Sequence, residues 1–274
     1  MDIPIRELRR FTKIMPCKYG TMLFLTGDKY IGGSLEHYGE YCDSEAEVFG
    51  QILDKGQVAI EVGANIGAHT VHLSQLVGES GHVIAFEPQM TIYHILCANI
   101  SLNEAFNVRT YHGGAGDQFG KLKVPEIDYH LPDSNFGAVS LLDVEYGEQV
   151  SIIPLDSLEL PSLRLLKIDV EGMEIAVIKG ARAQIERHRP VLYVENDRRG
   201  MSSSLITEIR GLGYNLWWHL APLFNPFNFR EKVEDIFHKT VSINLICIPK
   251  EQGEDVTGFP KVQDQNDWWE NHLT

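Results

Sequence analysis

Carboxylates that close short apolar runs are where this 274-residue sequence could do chemistry. Ala59-Ile60-Glu61-Val62 passes directly into Gly63-Ala64-Asn65-Ile66-Gly67, a strand that bends through glycine and opens a helix. Glycine at such a bend lets the backbone pass close to a ligand without a Cβ in the way. A second run, Val83-Ile84-Ala85-Phe86, ends in Glu87-Pro88, and a carboxylate there can accept both hydroxyls of a ribose. A third, Leu165-Leu166-Lys167-Ile168, delivers Asp169, Val170, Glu171 and Gly172. A fourth ends in Glu195, followed by Asn196 and Asp197.

A hydroxyl that must lose its proton needs a base whose pKa burial or a neighbouring acid has raised toward neutrality. Asp169 and Glu171 are the candidates, with Glu195 third. Lys167 and Asp169 share one face of their strand by its period of two. The bend spells Gly-x-x-x-Gly and lacks the third glycine of a dinucleotide fingerprint, which weakens an NAD-dependent oxidoreductase. NAD enzymes place an acid much as Glu87 is placed, so that residue alone does not choose between cofactors. Asp169, Glu171, Glu195 and Asn196 could together gather a hard cation. The sequence assigns no metal ligands and leaves a divalent cation open. Glu174 reads as a cap on the helix that follows. Late in the chain, Trp217-Trp218-His219 and residues 223–229 put aromatics and amides together, a composition suited to stacking on a sugar or planar acceptor. Trp218, His219 and Asn228 are the acceptor-contacting candidates, although a lone histidine on a strand is more often structural.

These groups must be held by a regular frame, and the pattern supplies one. Short apolar runs alternate with helix-length segments from residue 58 onward, the signature of βαβ units around a parallel sheet. Strands are expected at 58–62, 82–86, 108–112, 163–169, 191–195, 214–219 and 242–249. Helices are expected at 70–77, 90–103, 173–187 and 203–212. The fold class is therefore α/β: a doubly wound, mostly parallel seven-stranded sheet whose last hairpin gives an antiparallel edge. Upstream, residues 18–35 read as a β-hairpin turning at Thr26-Gly27-Asp28-Lys29, and Ser44 as the N-cap of a helix ending near Gly56. Residues 118–159, rich in Gly, Pro, Asp and Ser, interrupt the rhythm as functional loops do. The expected organisation is an extension over 1–50 that caps the site, one catalytic domain over 51–250, and a polar tail over 251–274.

Composition narrows the partners. The net charge is −14, from 38 acidic against 24 basic residues, a field that repels a phosphate backbone and disfavours nucleic acid. Cys17, Cys42, Cys97 and Cys247 lie too far apart for zinc spacing and read as reduced thiols. Residues 1–10 are charged with no apolar core behind them, unlike a secretory signal, and no run is long enough to span a membrane. A cytoplasmic protein is expected, which discounts the sequon Asn99-Ile100-Ser101. The oligomeric state is left open.

Three stretches, Glu-Val-Gly-Ala-Asn-Ile-Gly at 61–67, Phe-Glu-Pro at 86–88 and Lys-Ile-Asp-Val-Glu-Gly-Met-Glu at 167–174, resemble in order and spacing the FkbM family of S-adenosylmethionine-dependent methyltransferases. The resemblance runs from about residue 56 to 195, more weakly on to 249. His69 and Met173 stand where that family varies. It implies a class I methyltransferase fold, with Gly63, Ala64, Asn65, Gly67 and Thr70 shaping the cofactor pocket and Glu61 at its base. It further implies that Glu87 and Pro88 meet the ribose, that the backbone at Ala115 borders the adenine, and that Asp169 lies near the methionine part or the acceptor. Asn225-Pro226-Phe227 is similar to a motif of amino-group methyltransferases but stands in the wrong place, so methylation of a base amine is disfavoured. The expected reaction is O-methylation of a sugar hydroxyl or small secondary metabolite. A silent cofactor-binding module is the other reading.

Overall fold

The computed structural model describes residues 11–141, 144–253 and 256–272; the charged start at 1–10 lies outside them. An antiparallel hairpin comes first, β1 (Thr12–Cys17) and β2 (Gly20–Leu25), followed by α1 (Ile31–His37) and α2 (Asp43–Ile52). The βαβ series then runs β3 (Val58–Val62), α3 (Ala68–Val77), β4 (His82–Glu87), α4 (Met90–Leu102) and β5 (Val108–His112). Three short strands, β6 (Gly114–Ala115), β7 (Gly120–Val124) and β8 (Glu148–Ile153), make a separate small sheet. The main sheet resumes with β9 (Leu165–Ile168), α5 (Glu174–Gly180), α6 (Arg182–His188), β10 (Val191–Glu195), α7 (Arg199–Gly211), β11 (Tyr214–Pro222) and β12 (Val241–Pro249).

The main sheet has seven strands in the order β11-β12-β10-β9-β3-β4-β5. Only β12 runs against the others, and it lies between β10 and β11. The antiparallel strand is therefore interior, and the edge is β11, pointing the same way as the parallel strands. From β3 the chain steps outward to β4 and β5, then returns to place β9 on the other side of β3. That reversal opens a crevice at the carboxyl ends of β3 and β9. All of β3 is buried, as expected of a strand covered on both faces. Val58, Ile60 and Val62 face the α5–α7 side, and Ala59 the α2–α3 side. Glu61, 1% exposed, is the carboxylate that a dry strand of this kind does not need for folding.

Several boundaries differ from the sequence expectation, each for a local reason. The hairpin turns at Lys18-Tyr19, because Asp28 starts a helix instead: its Oδ2 accepts the Gly32 N–H (2.8 Å). Helix α2 is capped at Cys42, in left-handed conformation, rather than at Ser44, and ends at Ile52. The expected helix 173–187 is two helices that meet at Ala181, whose N–H turns to Ile178 O (3.2 Å); at Gly180 a Cβ would stand 1.7 Å from the Gly116 carbonyl oxygen. Helix α7 begins at Arg199, one turn early. The tail is not merely polar: Trp268 and Val262 are core residues, and Val262 N–H donates to Leu216 O (2.9 Å), covering the β11 edge.

The hairpin docks through helix α4, which mimics a strand edge. Asn99, fully buried, accepts the Leu23 N–H at Oδ1 (2.6 Å) and donates from Nδ2 to Leu23 O (2.9 Å) and Ile66 O (2.7 Å). One turn on, Asn103 repeats the pattern with the Thr21 N–H and O. The sequon asparagine is thus committed inside the protein. Asn99→Ala should cost about 2–4 kcal/mol in urea denaturation, since three backbone groups lose partners. Amide exchange over β1 and β2 should accelerate more than exchange in the main sheet.

Candidate functional site

The bend after β3 is built by three left-handed residues, Gly63 (φ 85°), Asn65 (φ 51°) and Gly67 (φ 83°). It is zipped to the end of β4: the N–H groups of Gly63 and Ala64 both donate to Phe86 O, at 3.0 and 2.9 Å. A Cβ on Gly63 would lie 1.8 Å from the Asp169 carbonyl oxygen, so that glycine is demanded by the neighbouring strand's exit rather than by a ligand. A Cβ on Gly67 would strike Leu96 of α4 at 2.6 Å.

These turns frame a cavity of about 330 Å³ at the carboxyl edge of the sheet. Glu61, Gly63, Ala64, Asn65, Glu87, Pro88 and Ala115 line it, together with Asp169, Glu171, Glu195 and Asp197. Tyr30, Ile31 and Tyr41 contribute from the N-terminal elements, and Asn135 with residues 137–139 and 141 from the stretch between β7 and β8. Because β12 is antiparallel, its first residues, Val241, Ser242 and Ile243, reach the same edge. Gly67 and Thr70, expected at the cofactor, stand behind the lining: Gly67 packs on α4, and Thr70 Oγ1 donates to Glu61 Oε2 (2.6 Å).

One end of the cavity centres on Glu87. Its Oε2 accepts the Asn65 N–H (2.9 Å) and its Oε1 the Gln89 N–H (2.8 Å). Burial pushes the carboxyl up to about 7, with Asp169 and Glu61 adding to the rise and the two N–H bonds opposing it. Beneath lies a buried charge relay. Lys167, 3% exposed, reaches Asp169 Oδ2 (3.2 Å) and Glu61 Oε1 (3.6 Å). Burial would lower the ammonium's pKa, but Asp169, Glu61 and Glu45 outweigh it and hold the group above its ordinary value. Glu61 is raised by burial, with Lys167 pulling the other way. His69 lines the cavity with Nε2 3.3 Å from Glu45 Oε2. Glu45 accepts from Asn244 Nδ2 (3.1 Å) and, against the effect of burial, is held down to about 2 by His69 and Lys167.

The other end gathers acids. Asp169, Glu171 and Glu195 each present an oxygen within 4.8 Å of the others. Glu171, at φ 56°, is bound by Arg198 Nη2 (2.6 Å). Burial and the charge of Asp169 nevertheless push it up to about 7. Glu195 is driven well above the carboxylate range by burial and the neighbouring acids, and its Oε2 is shut from solvent with no hydrogen-bond partner among the described residues. Asn196 is buried and does not line the cavity; its Nδ2 donates to Ser202 Oγ (2.9 Å), tying β10 to α7. Glu174 accepts the Gly172 N–H (2.8 Å), a turn-stabilising role.

The three acceptor-contacting candidates are elsewhere. Trp218 is fully buried in the core, its Nε1 donating to Asp267 Oδ2 (3.3 Å). His219 pairs Nδ1 with the Tyr193 hydroxyl (2.9 Å), and burial lowers its pKa, keeping it a neutral packing residue. Asn228 holds its own loop together through Asn225 O and Lys232 O. Alternation explains the error: Trp217 and Trp218 point into opposite helix layers, and neither layer is the crevice. The His69–Glu45 pair went unanticipated, because nothing in a 24-residue separation signals contact. Lys167 did carry a signal, a cation in an otherwise apolar run, which must find carboxylates once buried.

The family model described as the Methyltransferase FkbM domain matches residues 61–216, more than half of the chain. The chain belongs to the FkbM methyltransferase family. That membership sets the dinucleotide oxidoreductase aside. Methyltransferase sdnD of Sordaria araneosa is 28% identical over 47% of this chain and 61% of its own length. Methyltransferase 1 of Beauveria bassiana is 25% identical over 44% of this chain and 57% of its own. The chain thus spans less than two thirds of either relative. Among solved structures, an FkbM methyltransferase from Methylobacillus flagellatus aligns with TM-score 0.43 at 15% identity, over 74% of this chain and 50% of that one. An S-adenosylmethionine-dependent O-methyltransferase from Thermotoga maritima aligns with TM-score 0.46 at 13% identity, over 86% and 77%.

Removing the FkbM chain's buried ammonium tests the relay beneath its cavity. Lys167→Met leaves Glu61 without its cation and should cost about 3–5 kcal/mol in denaturant titrations at pH 8. A buried carboxyl with a raised pKa is tolerated when protonated and penalised as pH climbs. The loss should therefore shrink as the pH is lowered from 8 towards 5.5; an equal loss at both values would contradict the relay.

Proposed function

We propose that this protein is an S-adenosylmethionine-dependent O-methyltransferase acting on a hydroxyl of a sugar or another small metabolite. The observation that carries the reading is Glu87: a buried carboxylate at the end of the second parallel strand, fixed by two backbone N–H groups and facing the glycine bend. Each of its oxygens spends one acceptor site on the protein and keeps another for a ribose hydroxyl. Gly63, Ala64 and Asn65 would border the sugar, and the backbone at Ala115 the adenine. The acidic lining suits a donor bearing a sulfonium and an ammonium and selects against anionic acceptors.

When bound, the sulfonium donor supplies an activated methyl carbon that needs no metal. The chain's part is to align an acceptor oxygen in line with that carbon and to hold water out. Asp169 and Glu195 would orient the acceptor hydroxyl, and Glu171, poised near neutrality, would take its proton at a carboxylate oxygen. Glu87, Gly63, Ala64 and Asn65 would hold the donor, which would supply the methyl group to the aligned acceptor oxygen. A metal-assisted version is favoured by one observation, the unpartnered Glu195 Oε2 beside two further carboxylates. Loss of turnover in EDTA, restored by Mg²⁺, would establish it.

Calorimetric titration with S-adenosylmethionine and S-adenosylhomocysteine tests the donor site. Glu87→Gln should weaken both by about tenfold or more, because an amide cannot accept from two N–H groups and two hydroxyls. Affinity of the unaltered protein should fall as pH drops below about 7, where Glu87 takes up a proton. Glu171→Gln should leave donor binding intact and lower the single-turnover rate by about 10²–10⁴-fold. Equal rates would remove it from the chemistry, and donor binding without turnover on any acceptor would favour the silent module.

A further inference from the structure

Residues 125–141, between β7 and β8, fold back across the Glu87 end of the cavity, and one side chain, Gln89, joins them to that carboxylate. Ser134 exchanges backbone bonds with the N-terminal region: its N–H donates to Gly27 O (2.9 Å), and the Lys29 N–H donates to its carbonyl (2.8 Å). Phe136 is buried in the apolar cluster of Phe24, Ile31 and Ile92. Beside it, Asn135, Gly137, Ala138 and Val139 face the cavity. Gln89, 5% exposed, engages both sides. Its backbone N–H holds Glu87 Oε1 (2.8 Å), its Nε2 donates to Phe136 O (2.9 Å), and its Oε1 accepts from the Tyr129 hydroxyl (3.0 Å).

We propose that residues 125–141 are a cover over the bound methyl donor, and that Gln89 is the positioning residue that couples this cover to the ribose carboxylate Glu87. The proposal rests on the donor site assigned above. Opening the cover strips Gln89 of both side-chain partners and leaves a buried amide unsatisfied, while Phe136 must leave an apolar cluster. A ribose on Glu87 fixes the carboxylate, and through the Gln89 N–H it fixes the residue that grips the cover. Donor binding and cover closure therefore favour each other by the same factor. Donor release requires the cover to part, which makes its opening a gate on exchange of product for fresh donor.

The test is S-adenosylhomocysteine release from the full chain by stopped-flow displacement, with hydrogen exchange followed over 125–141. In the unaltered protein, S-adenosylhomocysteine should raise protection of that stretch. Gln89→Ala should release the ligand about tenfold faster and lose the ligand-dependent protection. Tyr129→Phe, which deletes one hydroxyl, should act in the same direction by about two- to fivefold. Unchanged release in the folded variants, or exchange over 125–141 indifferent to ligand in the unaltered protein, would overturn the coupling. Should Gln89→Ala fail to fold, Tyr129→Phe and the exchange data decide. If the unaltered protein binds no S-adenosylhomocysteine, the donor site itself falls, an outcome distinct from loss of coupling alone.

Discussion

Among the described residues that line the cavity, six bear carboxyls (Glu61, Glu87, Asp169, Glu171, Glu195 and Asp197) and one, Lys167, bears an ammonium. That imbalance, held in a largely buried crevice, governs the rest of the site. Burial raises Glu87 and Glu171 to about 7, and the neighbouring charge of Asp169 adds to the rise in both. Lys167 stays charged because it sits between Glu61 and Asp169, and its charge lets a strand with no wet face carry a glutamate at its centre. An acidic crevice of this kind would favour a cationic group such as a sulfonium over an anion.

The fold divides labour between front and back. Residues facing the cavity carry the charges and the open acceptor sites, while backbone N–H groups of neighbouring lining residues and side chains from the layer behind fix them. Thr70 orients Glu61, Asn65 and Gln89 orient Glu87, and Arg198 orients Glu171. Gly63, which lines the cavity, and Gly67, which stands behind it, each make room for protein atoms, the Asp169 carbonyl and Leu96. The glycine signature therefore reads as a packing device that lets β3, β9 and α4 converge, and the ligand cleft is what their convergence leaves.

The elements outside the repeating βαβ units close that cleft. The hairpin is bolted to α4 by Asn99 and Asn103, and it presents the region to which Ser134 attaches. The insertion between β5 and β9 supplies both the small sheet beside Ala115 and the strip from Asn135 to Val139. Early in the chain, Glu45 reaches under the sheet to His69 and Asn244, joining α2, α3 and β12. Three segments distant in sequence thus meet around one carboxylate.

What the sequence determined alone was the periodic part. Continuous apolar runs between helix-length segments specify a parallel sheet, and a strand's carboxyl end is where such sheets bind ligands; Glu87, Asp169, Glu171 and Glu195 were legible for that reason. Membership of the FkbM family followed from local words at 61–67, 86–88 and 167–174, all written within single strand-to-helix turns. The tertiary structure alone decided what depends on contacts across long separations. It placed β12 inside the sheet, paired His69 with Glu45, folded 125–141 over Glu87, and consigned Trp218, His219 and Asn228 to packing. Periodicity reports which residues share a face of their own element. Which face meets the crevice is fixed only when distant elements compete to cover the same apolar surface.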